Sequence, residues 1–168
     1  HMGEGLVSDV FSDPEIFKEL KGNMSIGHNR YSTTGVKDLK NVGPLMFNLE
    51  ETEISIAHNG NLVNIAKTRK SLQKQGSLFQ TSTDTELIIH LLAHESDEKI
   101  SDRLRAALNK VDGAYSLLVV TPNEMIAARD PRGIRPLCMG KLNESIIFAS
   151  ETCALDLLGA EYMREVEP

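Results

Sequence analysis

The feature that most constrains this chain is a block of three consecutive helix-type segments, residues 64–111, set between runs of β-type sequence. Ahead of the block, EISIAHNG (53–60) alternates apolar and polar residues as a half-buried strand does. Within it, Asn64 can cap a helix through IAKTRKSLQKQ that Gly76 closes. TDTELIIHLLAHE follows, with Thr83 and Glu86 at capping-box spacing. SDEKISDRLRAALNKV then places Ile100, Leu104, Ala107 and Leu108 on one face. Behind the block come GAYSLLVVT (113–121), EMIAARD (124–130), IRPLCMG (134–140) and SIIFASE (145–151), short β-type runs separated by turn residues. A brief helix over CALDLLG and a closing strand in EYMREVEP complete the chain. Strands and helices that come in blocks predict an α+β domain with antiparallel sheets and helices packed outside, not a doubly wound βαβ fold.

The first 35 residues are less regular. GLVSDVF (5–11) reads as a strand, or a strand entering a turn. SDPEIFKELKG reads as a short helix with Ser12 or Asp13 as N-cap, Pro14 at the first position and Gly22 past the end. MSIGHNRYSTTG (24–35) begins as a strand and dissolves into polar and small residues. Asp130-Pro131-Arg132-Gly133 has the residue order of a type I turn. There is no internal repeat and no low-complexity tract, and neither GxGxxG nor the P-loop pattern occurs.

A chain of 168 residues suits one domain with a sizeable core. His1-Met2 reads as a tag remnant and residues 3–168 as the domain. A net charge of −6 gives no electrostatic reason to expect nucleic acid or an anionic membrane as partner. No apolar stretch approaches the roughly 20 residues that span a bilayer, and no charged-then-apolar leader opens the chain. Cys138 and Cys153 have neither CxxC spacing nor a nearby His pair. They are expected to be free thiols in or near the core of a cytoplasmic protein, without a disulfide or zinc site.

Three stretches place polar groups where an element ends, which is where sites are built: GHNRYSTTG (27–35), AHNGNL (57–62) and TSTDTE (81–86). Each has a plain explanation alone. Arg30 can be a surface arginine, and Asn59-Gly60 a tight hairpin turn. Asp84 can serve the helix dipole, and His28 and His58 can be hydrogen-bonded core residues. Taken together they fit one task. An Arg fork suits an α-carboxylate and an Asp suits an α-ammonium. Asn59 Nδ2 and the Gly60 N–H can cradle the oxyanion of an attacked side-chain amide. That is a pocket for an amino acid bearing a hydrolysable carbonyl, which points to glutamine.

These stretches, with DGAYSLLVV, ARDPRGIRPL and FASETCALD, resemble the glutaminase (class II glutamine amidotransferase) domain of the amidophosphoribosyltransferase family, in that family's motif order from Gly3 to Pro168. RYSTTG, SETCALD and REVEP favour it over related glutaminases. The resemblance implies an N-terminal-nucleophile fold, a four-layer αββα sandwich, here expected to lack its first strands. It also implies that Arg30 and Asp84 hold the backbone charges of L-glutamine and that Asn59 and Gly60 form the oxyanion hole. Tyr31, Ser32, Thr33, Thr34 and Gly35 would close over the substrate. Thr34 stands where some related glutaminases carry a histidine, so details of that closure do not transfer. His28 and His58 receive no catalytic role.

The family's nucleophile is a cysteine at the mature N-terminus whose own α-amino group, with a pKa of about 8, takes the thiol proton. This chain starts His-Met-Gly-Glu-Gly. The expectation is therefore a fragment, truncated at both ends, that keeps the binding half of a glutaminase site and is inactive alone. Neither Cys138, within a β run, nor Cys153, opening a late helix, has an adjacent α-amine. Its partner would be a phosphoribosyltransferase domain that uses Mg²⁺ and phosphoribosyl pyrophosphate to make phosphoribosylamine for purine biosynthesis. No cofactor is expected in this chain, and its two cysteines give no basis for an iron–sulfur cluster. Unpaired sheet edges would favour a homo-oligomer. A non-catalytic glutamine-binding or interaction module is the alternative.

Overall fold

The computed structural model describes residues 1–30 and 39–168. Its centre is an antiparallel sheet of four strands in the order β1-β2-β3-β4: β1 Leu45–Leu49, β2 Thr52–Leu62, β3 Gly113–Val120 and β4 Met125–Arg129. β1 and β2 form a hairpin closed at the Leu49–Thr52 pair, with Glu50 at φ 55°. β2 and β3 pair along their length, from Ser55 opposite Val120 to Leu62 opposite Gly113. The chain leaves the sheet between these two partners to form α3 Ile65–Lys74, α4 Asp84–Ala93 and α5 Ile100–Leu108. A second sheet, in the order β6-β5-β7, joins β5 Cys138–Leu142, β6 Ser145–Ala149 and β7 Glu161–Glu165, with α6 Thr152–Leu158 between β6 and β7.

Alternation decides which face is buried. Ile54, Ile56 and Leu62 of β2 and Tyr115, Leu117 and Val119 of β3 point to one side and are almost fully enclosed. There they meet Leu87, Ile88, Leu91 and Leu92 of α4, Leu104 and Ala107 of α5, and Leu72 of α3. Ile100 and Leu108 pack partly buried against this cluster, as the expected face of α5 requires. α4 is apolar on most of its surface because it lies between the other two helices and the sheet. Asn59 looks out of the opposite face of β2 and its Nδ2 donates to Ser150 Oγ at 3.4 Å, just past β6. The second sheet therefore stands on that side, and the order of layers is helices, sheet, sheet, helix.

The two sheets are joined through one turn. Asp130 accepts the N–H groups of Tyr115, Arg132, Ile134 and Arg135 on its carboxylate at 3.1–3.3 Å and has no exposed surface. Its own carbonyl takes the Gly133 N–H at 2.9 Å, so the expected type I turn forms. Arg129 reaches across the same turn, donating to Arg135 O and Gly133 O, and to Glu165 Oε2 at 2.7 Å on β7.

Several expectations need correction. GLVSDVF is not a strand: Val7–Val10 form one helical turn (α1), with Leu6 and Val7 exposed and no strand beside them among the described residues. Its alternation is too short to bury a face. The next helix, α2, is Glu15–Glu19: Pro14 is its N-cap rather than its first residue, no side chain caps it, it ends at Leu20 before Gly22, and Asp13 Oδ1 takes the Glu15 N–H at 2.9 Å. Residues 24–30 carry no regular structure. Asn64 does not cap α3 with its side chain; it donates to Lys110 O and accepts the Asp112 N–H, pinning the start of α3 to the approach of β3. Gly76, at φ 99°, does end that helix region. Cys138 is a buried free thiol as expected, but Cys153 is exposed. β1 was not anticipated at all.

Candidate functional site

The sequence AHNGNL is not a turn: His58, Asn59 and Gly60 lie inside β2, opposite Leu117, Ser116 and Tyr115. Gly60 is required there by a close approach. A Cβ at Gly60 would come to 2.2 Å from Ala114 O and 2.7 Å from Tyr115 Cα, both backbone atoms. β1 stops at the Leu45–Ile56 pair, so β1 does not pair the outer edge of β2 beyond it. The Leu62 N–H uses that edge to donate to Asp84 Oδ2 at 3.1 Å. Gly60, two residues back, shares its parity, so alternation directs its N–H to the same edge. The face and the edge of β2 thus each carry a donor, Asn59 Nδ2 and Gly60 N–H.

Asp84 begins α4. Thr83 caps the helix by accepting the Glu86 N–H on its hydroxyl at 3.4 Å, as the capping-box spacing predicts. The reciprocal half of the box is not made. Glu86 turns instead to the preceding loop and accepts Gln80 N–H at 2.6 Å, Thr81 N–H at 2.7 Å and Thr81 Oγ1 at 2.8 Å. Burial works to raise the Glu86 carboxyl, but these donors outweigh it and hold it below the usual carboxylate value. Arg69 adds a bond to Thr81 O and covers the ring of Phe79 at 4.1 Å. The loop that delivers Asp84 is therefore fixed from both sides. Asp84 is itself partly buried, which pushes its carboxyl up; hydrogen bonds from His58 and the Leu62 amide more than offset this and leave it lowered.

Arg30 is exposed, so its guanidinium is not the buried fork that carboxylate binding alone would suggest. It is nevertheless tied to the same place. Its Nη1 donates to Asn41 O at 2.5 Å, and Asn41 Oδ1 accepts both the N–H and the hydroxyl of Ser82, at 3.1 and 3.3 Å. A continuous line of contacts runs from Arg30 through Asn41 and Ser82 to Asp84, and from Asp84 through Leu62 to Gly60 and Asn59. Tyr31, Ser32, Thr33, Thr34 and Gly35 fall outside the described residues. Asn41, His58 and Glu86 are the members that sequence reasoning left without a role in the site. Glu86 had a signal in the capping box, but Asn41 had none.

The model of one family, described as a glutamine amidotransferase domain, matches residues 28–157. The chain belongs to that family. The amidotransferase domain is similar over its whole length to curated relatives. It is 45% identical over 169 residues to the amidophosphoribosyltransferase of Bacillus subtilis (strain 168), covering 100% of this chain and 35% of that one. It is 48% identical over 167 residues to the amidophosphoribosyltransferase of Rhizobium etli, covering 99% and 33%. The domain thus spans about a third of the length of these relatives. Among solved structures, one described as the allosteric regulatory enzyme of purine biosynthesis overlays with a TM-score of 0.93 at 44% identity, covering 99% of this chain and 36% of that one. The glutamine phosphoribosylpyrophosphate amidotransferase of B. subtilis, complexed with ADP and GMP, gives 0.78 at 44% identity over 83% and 30%. The α+β architecture with antiparallel sheets expected of an N-terminal-nucleophile fold is borne out by these overlays.

Among the described residues, no group of three His, Cys, Asp or Glu side chains is placed to hold a metal ion. No helix among them is long and apolar enough to cross a membrane. Cys138 Sγ lies against Ala149 O, and burial pushes its thiol up. Cys153 Sγ faces the Glu151 carboxylate at 3.8 Å. Neither arrangement supplies a base to generate a thiolate.

Proposed function

We propose that this domain binds L-glutamine for amide transfer, as the glutaminase part of a cytoplasmic amidophosphoribosyltransferase. Arg30 takes the α-carboxylate, Asp84 the α-ammonium, and Asn59 Nδ2 with the Gly60 N–H the oxyanion that forms when the side-chain amide is attacked. Tyr31–Gly35 closes over the bound amino acid. What supports this reading is that hydrogen bonds tie Arg30 through Asn41 to Ser82, two residues before Asp84, and tie Asp84 to Leu62, two residues after Gly60 in β2. Ammonia released there would serve a phosphoribosyltransferase domain, where Mg²⁺ and phosphoribosyl pyrophosphate bind and phosphoribosylamine is made for purine synthesis.

Neither Cys138 nor Cys153 is read as the attacking thiol, and no ammonia release is expected of either. The same two cysteines favour, as a second reading, a module that binds glutamine without cleaving it. Calorimetric titration with L-glutamine, paired with an ammonia assay, tests both. Saturable binding weakened at least about tenfold in Arg30→Ala, the loss of a charge-assisted contact, is the expected result, with no ammonia. Absent binding removes the reading of the site; ammonia release removes the assignment of the cysteines.

Self-association of the domain is also proposed. Ile146, Tyr162 and Met163 are exposed on the outer strands of the second sheet, and such edges invite pairing with another chain. Light scattering is expected to give a mass above 18.6 kDa; a monomer at high concentration counts against it.

A further inference from the structure

His58 occupies a place that a core histidine does not need. It is central in β2, its side chain is 2% exposed, and it touches both halves of the site. Its Nδ1 lies 3.3 Å from Asp84 Oδ1 and 3.2 Å from Thr85 Oγ1. Its Nε2 is buried with no hydrogen-bond partner among the described residues. Gly60 rests against that nitrogen: a Cβ there would come to 2.8 Å from Nε2.

We propose that His58 is a positioning residue of the glutamine site, which grips Asp84 through an Nδ1–H donor and seats the Gly60 backbone against its ring. The proposal rests on Asp84 as the ammonium-binding group and deepens that reading. The tautomer follows by elimination. With the proton on Nε2, the Nδ1 lone pair could accept from the Thr85 hydroxyl but would also face a carboxylate oxygen, and the buried Nε2–H would have no acceptor. Both arrangements are unfavourable. With the proton on Nδ1, the N–H is shared between Thr85 Oγ1 at 3.2 Å and Asp84 Oδ1 at 3.3 Å, and only a lone pair is left facing Gly60. The second oxygen of Asp84 is held by the Leu62 N–H. Both oxygens are then anchored from the β2 side, and the partly exposed edge of the carboxylate, 18% accessible, remains for a ligand cation. Nearby, the His28 Nδ1 is likewise buried with no hydrogen-bond partner among the described residues. The His58 ring thereby sets the spacing between the ammonium-binding carboxylate and the oxyanion donor.

The test begins without ligand. In this chain labelled with nitrogen-15 histidine, a two-bond proton–nitrogen correlation reads the tautomer, with the His58 signals assigned by their loss in His58→Asn. Protonated Nδ1 is expected; protonated Nε2 overturns the proposal. A carbon-13 titration of the Asp84 carboxyl then compares two variants. The asparagine amide falls where Nδ1 sits and the glutamine amide where Nε2 sits. The Asp84 midpoint is expected to rise in His58→Gln and to return towards the native value in His58→Asn; no change in either overturns the proposal. L-Glutamine affinity is expected to fall about tenfold in His58→Gln, the loss of one hydrogen bond to a charged group, and less in His58→Asn. Native chain that binds no glutamine would defeat the functional reading, while the tautomer and the titration still decide the role of His58.

Discussion

Asp130→Ala is expected to destabilise the chain by about 4–5 kcal/mol, measured as a lowered midpoint in chemical denaturation. The carboxylate is fully enclosed and accepts four backbone N–H groups, from β3 and from three residues of the turn that leads to β5. An alanine leaves those donors without an acceptor, at about 1–3 kcal/mol for each that stays buried; relaxation of the turn lets some of them reach water. Asp130→Asn keeps the shape but points an NH₂ at donors and should fall between the two. The same bonds outweigh burial and hold the Asp130 carboxyl below its ordinary value. Its folded value therefore lies below its unfolded one. The stability it contributes is complete above the unfolded carboxylate range, about pH 4, and is lost as pH falls through the lowered folded value. Denaturation midpoints should decline on acidification below about pH 4, and less steeply in Asp130→Asn.

Asp84→Asn is expected to weaken L-glutamine binding by at least about a hundredfold, or roughly 2.7 kcal/mol, in the range for one partner of a desolvated charge pair. The substitution removes the negative charge and turns an amide NH₂ towards either the Leu62 N–H or the His58 ring, where an acceptor is needed. Calorimetry against the native chain reads it directly. Binding that survives Asp84→Asn unchanged would move the α-ammonium elsewhere and leave Asp84 as a first-turn carboxylate serving the helix dipole.

The parts of this molecule legible in its sequence are those whose signal is local. α3, α4 and α5 announce themselves by periodicity and by Thr83 and Gly76 at their ends, and β3 by the alternation of Tyr115, Leu117 and Val119. β1 was missed because LMFNL is too short for a period, and it exists only by pairing with β2. GLVSDVF failed for the converse reason: an apolar alternation with nothing beside it to bury against. In the site, Asn59, Gly60 and Asp84 stood out by residue type, but the hairpin reading of Asn-Gly was open until β2 ran through it. Asn41, Glu86 and Asp130 could not be ranked from sequence, since each works by collecting N–H groups whose directions only the folded backbone defines. Cys153 was expected inside from its residue type, yet its place at the start of α6 leaves it outside.

The line of bonds through Asn41 and Leu62 has a stereochemical consequence. Arg30, Asp84 and Asn59 come from three separate pieces of chain, and the bonds between those pieces fix where each stands relative to the others. An amino acid held by carboxylate, ammonium and side-chain carbonyl at three such points has no spare freedom around its α-carbon. The mirror-image amino acid can satisfy only two of them at once. On the proposed roles, asparagine, one methylene shorter, is expected to bind more weakly than glutamine, which calorimetry with the two amino acids checks. If the proposed roles hold, such a frame acts at once as a chirality filter and a ruler, and its stiffness lies in the bonds through Asn41, Ser82 and Leu62.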